Sequence, residues 1–232
     1  MIALLTVSCS SESSSGPTTT SSSLPPSTTE GSTTTTSTST IPPTTAPAVL
    51  EQPAIWPAVD VVFEDPEVAA ADFVAAVLGV PIALGDFMAA DSRSGEITVS
   101  CDLCNGTPRG RLLMRRLGPT NGWFVTAIVN DLTTIASPVQ AGTVAAGPLE
   151  VAGTAIGFEA NVSITAYVAG DETRVLDRVT VMAGMMGEPG PFSVTLDLSE
   201  ASAGDLVMIL VRGGVGLETD PGDLAAIAVV IG

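Results

Sequence analysis

Apolar and polar positions are distributed very unevenly along this chain. Met1 to Ser8 are mostly apolar and run straight into Cys9. From Ser10 to Thr45, 25 of 36 residues are Ser or Thr, with prolines scattered among them. The first strong apolar cluster lies near Trp56, and patterned segments then follow one another to Gly232. One of them predicts a helix: Val68-Ala69-Ala70-Ala71-Asp72-Phe73-Val74-Ala75-Ala76-Val77-Leu78. Ahead of it Asp65 can cap, Pro66 suits the first helical position and Glu67 favours the dipole, while Gly79 and Pro81 stop it. Apolar alternation then predicts strands over Glu96 to Ser100, Arg111 to Leu117 and Trp123 to Val129. The last two are joined by Gly118-Pro119-Thr120-Asn121-Gly122, which carries the Asn-Gly signal of a hairpin.

Beyond about Thr133 the pattern changes. Turn residues recur every 8 to 14 positions and no helical period appears. The predicted strands are Leu149 to Ile156, Asn161 to Val168, Arg174 to Met182, Phe192 to Leu198, Leu206 to Val211 and Leu224 to Ile231, with a short one near Thr134. That many short strands in about 100 residues predict an antiparallel sandwich. The chain therefore divides into a signal remnant (1–9), a tether (10–52), a small α+β domain of one helix on an antiparallel sheet (53–132) and an all-β sandwich (133–232).

The second half carries Ser137-Pro138, then Gly153-Thr154-Ala155, then Phe158-Glu159-Ala160-Asn161-Val162, then Gly190-Pro191-Phe192-Ser193-Val194-Thr195-Leu196. In that order these segments resemble the immunoglobulin-like domain of bacterial spore germination, over residues from about 135 to 231. The resemblance implies an immunoglobulin-like sandwich with Gly153, Phe158, Glu159, Gly190 and Phe192 as its motif residues. It departs at Arg212-Gly213-Gly214-Val215-Gly216, where the family usually has a Ser and an Asp-Gly turn. Phe158 and Phe192 are expected to fill the core. Glu159, one residue on, is expected on the opposite face, either accepting backbone hydrogen bonds at the turn or, as the alternative, meeting a ligand or metal.

Composition narrows the chemistry. The formal charge is -17, from 25 acidic and 8 basic residues, and the basic residues are all arginine. With no Lys or His there is no imidazole base, Lys Schiff base or His metal ligand, and no Ser or Thr has an evident activator. So acidic a chain is a poor partner for nucleic acid. Residues 53–132 hold 10 acids and 5 arginines, against 12 and 3 in residues 133–232.

The stretch ending at Cys9 resembles the end of a bacterial lipoprotein signal peptide, which implies a lipidated Cys9 and an extracytoplasmic, lipid-anchored location. The Ser/Thr/Pro tract cannot bury enough apolar surface to order itself and is expected to be disordered. Its 46 positions between Cys9 and Trp56 reach ~140 Å when extended.

Three groups of residues invite chemistry. Cys101 and Cys104 form a C-x-x-C pair that fits a redox couple, half a zinc site or a structural disulfide; an exported chain and a β-turn spacing favour the disulfide. Arg109, Arg111 and Arg115 share one parity and are expected on one strand face, either solvated among nearby carboxylates or forming a patch for an anionic polymer. The acidic clusters Asp60/Glu64/Asp65/Glu67 and Glu218/Asp220/Asp223 lack the ligand order of a known calcium loop. The functional expectation is a non-catalytic envelope lipoprotein that binds a cell-wall polymer or another envelope protein. It needs no cofactor and touches the membrane only through its lipid. The alternative is an accessory or weak carboxylate-based hydrolase of envelope glycans, which requires two facing Asp/Glu in a pocket.

Overall fold

The computed structural model describes residues 50–232; Cys9 and the tether up to residue 49 lie outside them. The helix forms where the capping signals stand. Asp65 Oδ1 accepts from the backbone N–H of Glu67 (2.8 Å) and Val68 (3.1 Å), opening α1 (Pro66–Phe73). One wider, π-helical turn continues it over Val74–Leu78 and ends at Gly79 in the left-handed region (φ 62°). The helix buries Ala69, Ala70, Phe73, Val74 and Leu78, its alanines allowing close approach to the sheet. Trp56 donates its indole N–H to Asp72 Oδ2 (2.8 Å) and meets Phe73 edge to face (6.2 Å).

The strands before Thr133 are β1 (Ile82–Leu84), β2 (Met88–Ala89), β3 (Ser94–Cys101), β4 (Thr107–Leu117) and β5 (Gly122–Val129). After it come β6 (Thr134–Ser137), β7 (Thr143–Val144), β8 (Pro148–Ala155), β9 (Asn161–Val168), β10 (Val175–Met182), β11 (Gly190–Asp197), β12 (Leu206–Gly213) and β13 (Leu224–Ile231). Among the described residues the fold is mostly antiparallel β with one helix and an immunoglobulin-like sandwich. A three-stranded sheet, β11-β8-β6, packs on the β13-β12-β9-β10 portion of a ten-stranded sheet.

The boundary at Thr133 does not separate two bodies: the described residues, 50–232, fall in one compact unit. β5 pairs with β13 through Ala226 and Ile128, so the sheet runs β1-β3-β4-β5-β13-β12-β9-β10 without a break. Both faces of β12 and β13 are covered. Val207, Ile209, Val211, Ile227, Val229 and Ile231 face the sandwich core, while Met208, Leu210, Leu224, Ala226 and Ala228 join a second core with Ile55, Trp56, Phe73, Leu112 and Trp123. The chemistry of the strands shows why. Phe192 to Asp197 in β11 alternates apolar and polar because one face is wet, whereas Leu224 to Ile231 is apolar at every position.

Two motif glycines have a packing reason. A Cβ on Gly153 would overlap the Thr134 carbonyl oxygen, where β6 lies against β8. A Cβ on Gly190 would stand 2.8 Å from the Gly184 backbone nitrogen. Gly is thus required at both places by close backbone approach.

Candidate functional site

β3 ends at Cys101, and the chain turns through Asp102 to Gly106 into β4. Asn105 (φ 56°) and Gly106 (φ 70°) take left-handed conformations, and the N–H groups of Cys104 (3.3 Å) and Gly106 (3.2 Å) both donate to the Cys101 carbonyl. This turn brings the two Cα atoms to 5.2 Å, and Cys101 and Cys104 are joined as a disulfide. Asp220 Oδ2 lies 3.5 Å from Cys104 Sγ. A disulfide sulfur carries no proton, so this is a packing contact rather than a hydrogen bond.

Arg109 was expected beside Arg111 and Arg115, and it is not there. The β3–β4 ladder pairs Val99 with Gly110 and Ser100 with Pro108, leaving Arg109 as the extra residue of a β-bulge. A bulge resets the alternation and re-aims the side chain. The Arg109 guanidinium turns instead to the loop after β12, pairing with Asp220 and, at 3.2 Å, with Asp223 Oδ2. Asn130 completes the cluster, its amide nitrogen donating to the Arg109 carbonyl (2.7 Å) and Asp223 Oδ1 (3.1 Å). Asp220 Oδ1 accepts from Gly222 N–H (2.9 Å). From the other side Arg212 donates through Nε to the Pro221 carbonyl (2.6 Å) and through Nη1 to the Leu78 carbonyl (3.3 Å). Burial holds the Arg212 guanidinium below its usual pKa. Two arginines from different parts of the chain therefore fix the 213–223 loop, and one of them also caps the helix C-terminus.

Asp220 and Asp223 also line a hollow of about 260 Å³ with Phe158, Met186 and Val215. The two carboxylates accept from one guanidinium. That is an ion-pair clamp, not the separated acid and base that glycoside hydrolysis needs. Of the other acidic cluster, Asp65 caps α1 and Glu67 Oε1 accepts from Phe87 N–H (3.4 Å).

Arg111 and Arg115 remain on the outer face of β3-β4-β5, exposed, with Leu113 between them. Arg111 lies 3.9 Å from Glu96 Oε1, a half-exposed pair of small energetic weight. Two shallow depressions extend along this face. One, of about 330 Å³, is bordered by Thr98, Arg111 and Leu132; the other, of about 530 Å³, by Glu96, Arg115, Thr126 and Gln140. Arg116 points the opposite way and stacks over Trp123, 5.0 Å from the ring centroid.

Phe158 corrects a second expectation. Phe192 is buried in the sandwich core, but Phe158 is 57% exposed. Glu159 (φ 53°) and Ala160 (φ 60°) are both left-handed and form a short 3₁₀ turn ahead of β9, so strand alternation does not apply. Ala160 takes the inward position and Phe158 is turned out, its N–H donating to the Gly214 carbonyl (2.8 Å). Glu159 is exposed as well. Sequence reasoning missed the clamp formed by Arg109, Asn130 and Asp223. Its signal was the Pro108-Arg109-Gly110 triplet, whose Pro and Gly mark a break in a strand.

These features define an immunoglobulin-like sandwich fused through a doubly covered sheet to a helix-bearing lobe. Residues 133–212 match the family model described as the immunoglobulin-like domain of bacterial spore germination. The match ends within β12, so β13, which completes the sheet along seven paired positions, lies beyond it. Neither the curated proteins nor the solved structures gave a match to the chain. The family is generally non-catalytic and suggests a binding role.

Proposed function

We propose that the chain is a non-catalytic, membrane-anchored extracytoplasmic lipoprotein whose immunoglobulin-like domain, with the lobe fused to it, mediates binding within the bacterial cell envelope. The partner on the lobe is an anionic cell-wall polymer. The observation that carries this reading is the open β3-β4-β5 face. In a chain of charge -17, Arg111 and Arg115 stand exposed there above shallow depressions lined by Thr98, Thr126 and Gln140. An extended polyanion can lie along such a face and use one guanidinium per phosphate or carboxylate group. The Ser/Thr/Pro tract after Cys9 supplies the reach to hold the folded part away from the membrane.

Two experiments test the reading. Lipid-precursor feeding is expected to label the chain in a bacterial host and Cys9→Ser to abolish the label; an unlabelled wild type refutes the anchor. The ectodomain is expected to co-sediment with isolated cell-wall material, and Arg111→Glu with Arg115→Glu to reduce the bound fraction about tenfold. Unchanged co-sedimentation of the double variant refutes the polymer site.

A further inference from the structure

The clamp leaves an unusual surface at the loop end of the sandwich. Phe158 and Leu217 are each 57% exposed, Leu103 66% and Met186 96%. They sit on the disulfide turn, the turn before β9, the β10–β11 loop and the 213–223 loop. The last three loops meet around the hollow of about 260 Å³, and Asp220 brings the 213–223 loop against the disulfide turn. Apolar side chains gathered this way on a surface mark an interaction site more often than isolated ones do. The patch is also held in place: Phe158 is fixed through its backbone to Gly214, and a Cβ on Gly216 would stand 3.3 Å from its ring. Met186, unbranched and polarisable, can adapt to what it meets.

The rim identifies the occupant. Asp102, Glu159, Glu188 and Glu218 are exposed on these same four segments, where the sequence has no arginine. Asp220 and Asp223 share the Arg109 guanidinium and leave the exposed rim to these four carboxylates. A negative rim around an apolar centre repels anionic lipid and repels a second copy of itself, and it favours a chain that carries the opposite charge. We propose that this loop end docks a peptide segment of a partner protein in which one or two bulky apolar side chains are flanked by Arg or Lys. The apolar anchor packs on the exposed Phe158 and Met186 at the mouth of the hollow, and the flanking cations meet Glu159, Glu188 and Glu218. This surface is distinct from the Arg111/Arg115 face, so the proposal stands whether or not that face binds polymer.

The probe is a fluorescein-labelled 12-residue peptide of alternating Leu and Arg, with Leu/Glu and Ser/Arg peptides as controls, titrated by anisotropy into the full chain. Only the Leu/Arg peptide is expected to bind at micromolar concentration. Phe158→Ser with Met186→Ser should weaken it at least tenfold, and Glu159→Gln with Glu188→Gln and Glu218→Gln about fivefold at low salt. All five positions are exposed, and circular dichroism of each variant is expected to match wild type. Equal binding of the Ser/Arg peptide, or binding insensitive to the Phe158/Met186 pair, overturns the proposal. So does Phe158-dependent binding to phosphatidylglycerol vesicles, which assigns the patch to membrane, or a Phe158-dependent dimer in sedimentation equilibrium, which assigns it to a second copy.

Discussion

If the sheet is buried on both faces, the lobe and the sandwich must unfold together, and the chain supplies its own reporters. Its tryptophans, Trp56 and Trp123, both lie in the core on the helix side, while Leu196 is fully buried in the other core on the three-stranded sheet. Leu196→Ala removes three carbons from a site that cannot fully collapse, at a cost of about 3 kcal/mol. With a urea m-value of about 2 kcal/mol/M, the midpoint falls by about 1.5 M. In a two-state unit the whole shift appears in tryptophan fluorescence, although the mutated side chain belongs to the opposite core. Equilibrium urea titrations followed by fluorescence and far-UV circular dichroism are expected to coincide for wild type and for the variant. A variant whose fluorescence midpoint stays put while circular dichroism gains an early phase refutes the single cooperative body.

Other consequences follow from particular contacts. Arg109→Ala leaves Asp220 and Asp223 poorly exposed and without their shared cation, and is expected to cost about 2 to 4 kcal/mol in chemical denaturation, less than a fully buried pair would. Arg109→Lys recovers only part of this, because one ammonium cannot match a fork held between two carboxylates. Gly153→Ala drives a methyl into the Thr134 carbonyl and is expected to lower the urea midpoint as far as a core truncation does. The backbone N–H of Ser199 holds Asp197 below its ordinary pKa, and the Thr173 hydroxyl does the same for Asp171. A lowered folded pKa stabilises above the ordinary carboxylate range and is lost as pH falls through the lowered value. The urea midpoint is therefore expected to drop below about pH 4, and Asp197→Asn to flatten part of that drop.

Where the sequence was legible, the physics was local. The capping set Asp65, Pro66 and Glu67 placed the helix start, and Gly79 its end, because each satisfies or breaks a backbone requirement within a few residues. Ten of the strands were legible from alternation and turn residues, and the sandwich from their number, whereas β1, β2 and β7, of two or three residues each, are too short to show a period. The fusion of lobe and sandwich was written too, though in a less familiar form. Leu206 to Val211 and Leu224 to Ile231 lack the polar alternates that a half-solvated strand keeps, and an unbroken apolar strand beside alternating ones asks for a cover on its second face. A boundary drawn at Thr133 does not say that residues before it supply that cover.

The candidate site was less legible because both corrections are one- or two-residue events. Parity along a strand is a reliable guide only while the ladder advances one residue against one. At Arg109 the ladder skips a residue, and a side chain placed with Arg111 and Arg115 becomes the clamp on Asp220 and Asp223. At Glu159 and Ala160 the backbone takes two left-handed steps, and the phenylalanine assigned to the core is delivered to the surface. Each event costs regular pairing locally, and each is held by contacts distant in sequence: Asp220 and Asp223 for the bulge, Gly214 for the turn. Both sets of contacts come from the 213–223 loop, which lies beyond the residues that match the family model. That one loop holds Arg109 away from Arg111 and Arg115 and holds the backbone of Phe158, whose side chain is exposed. The Arg111/Arg115 face and the loop end are therefore both shaped by one loop, while they differ in charge.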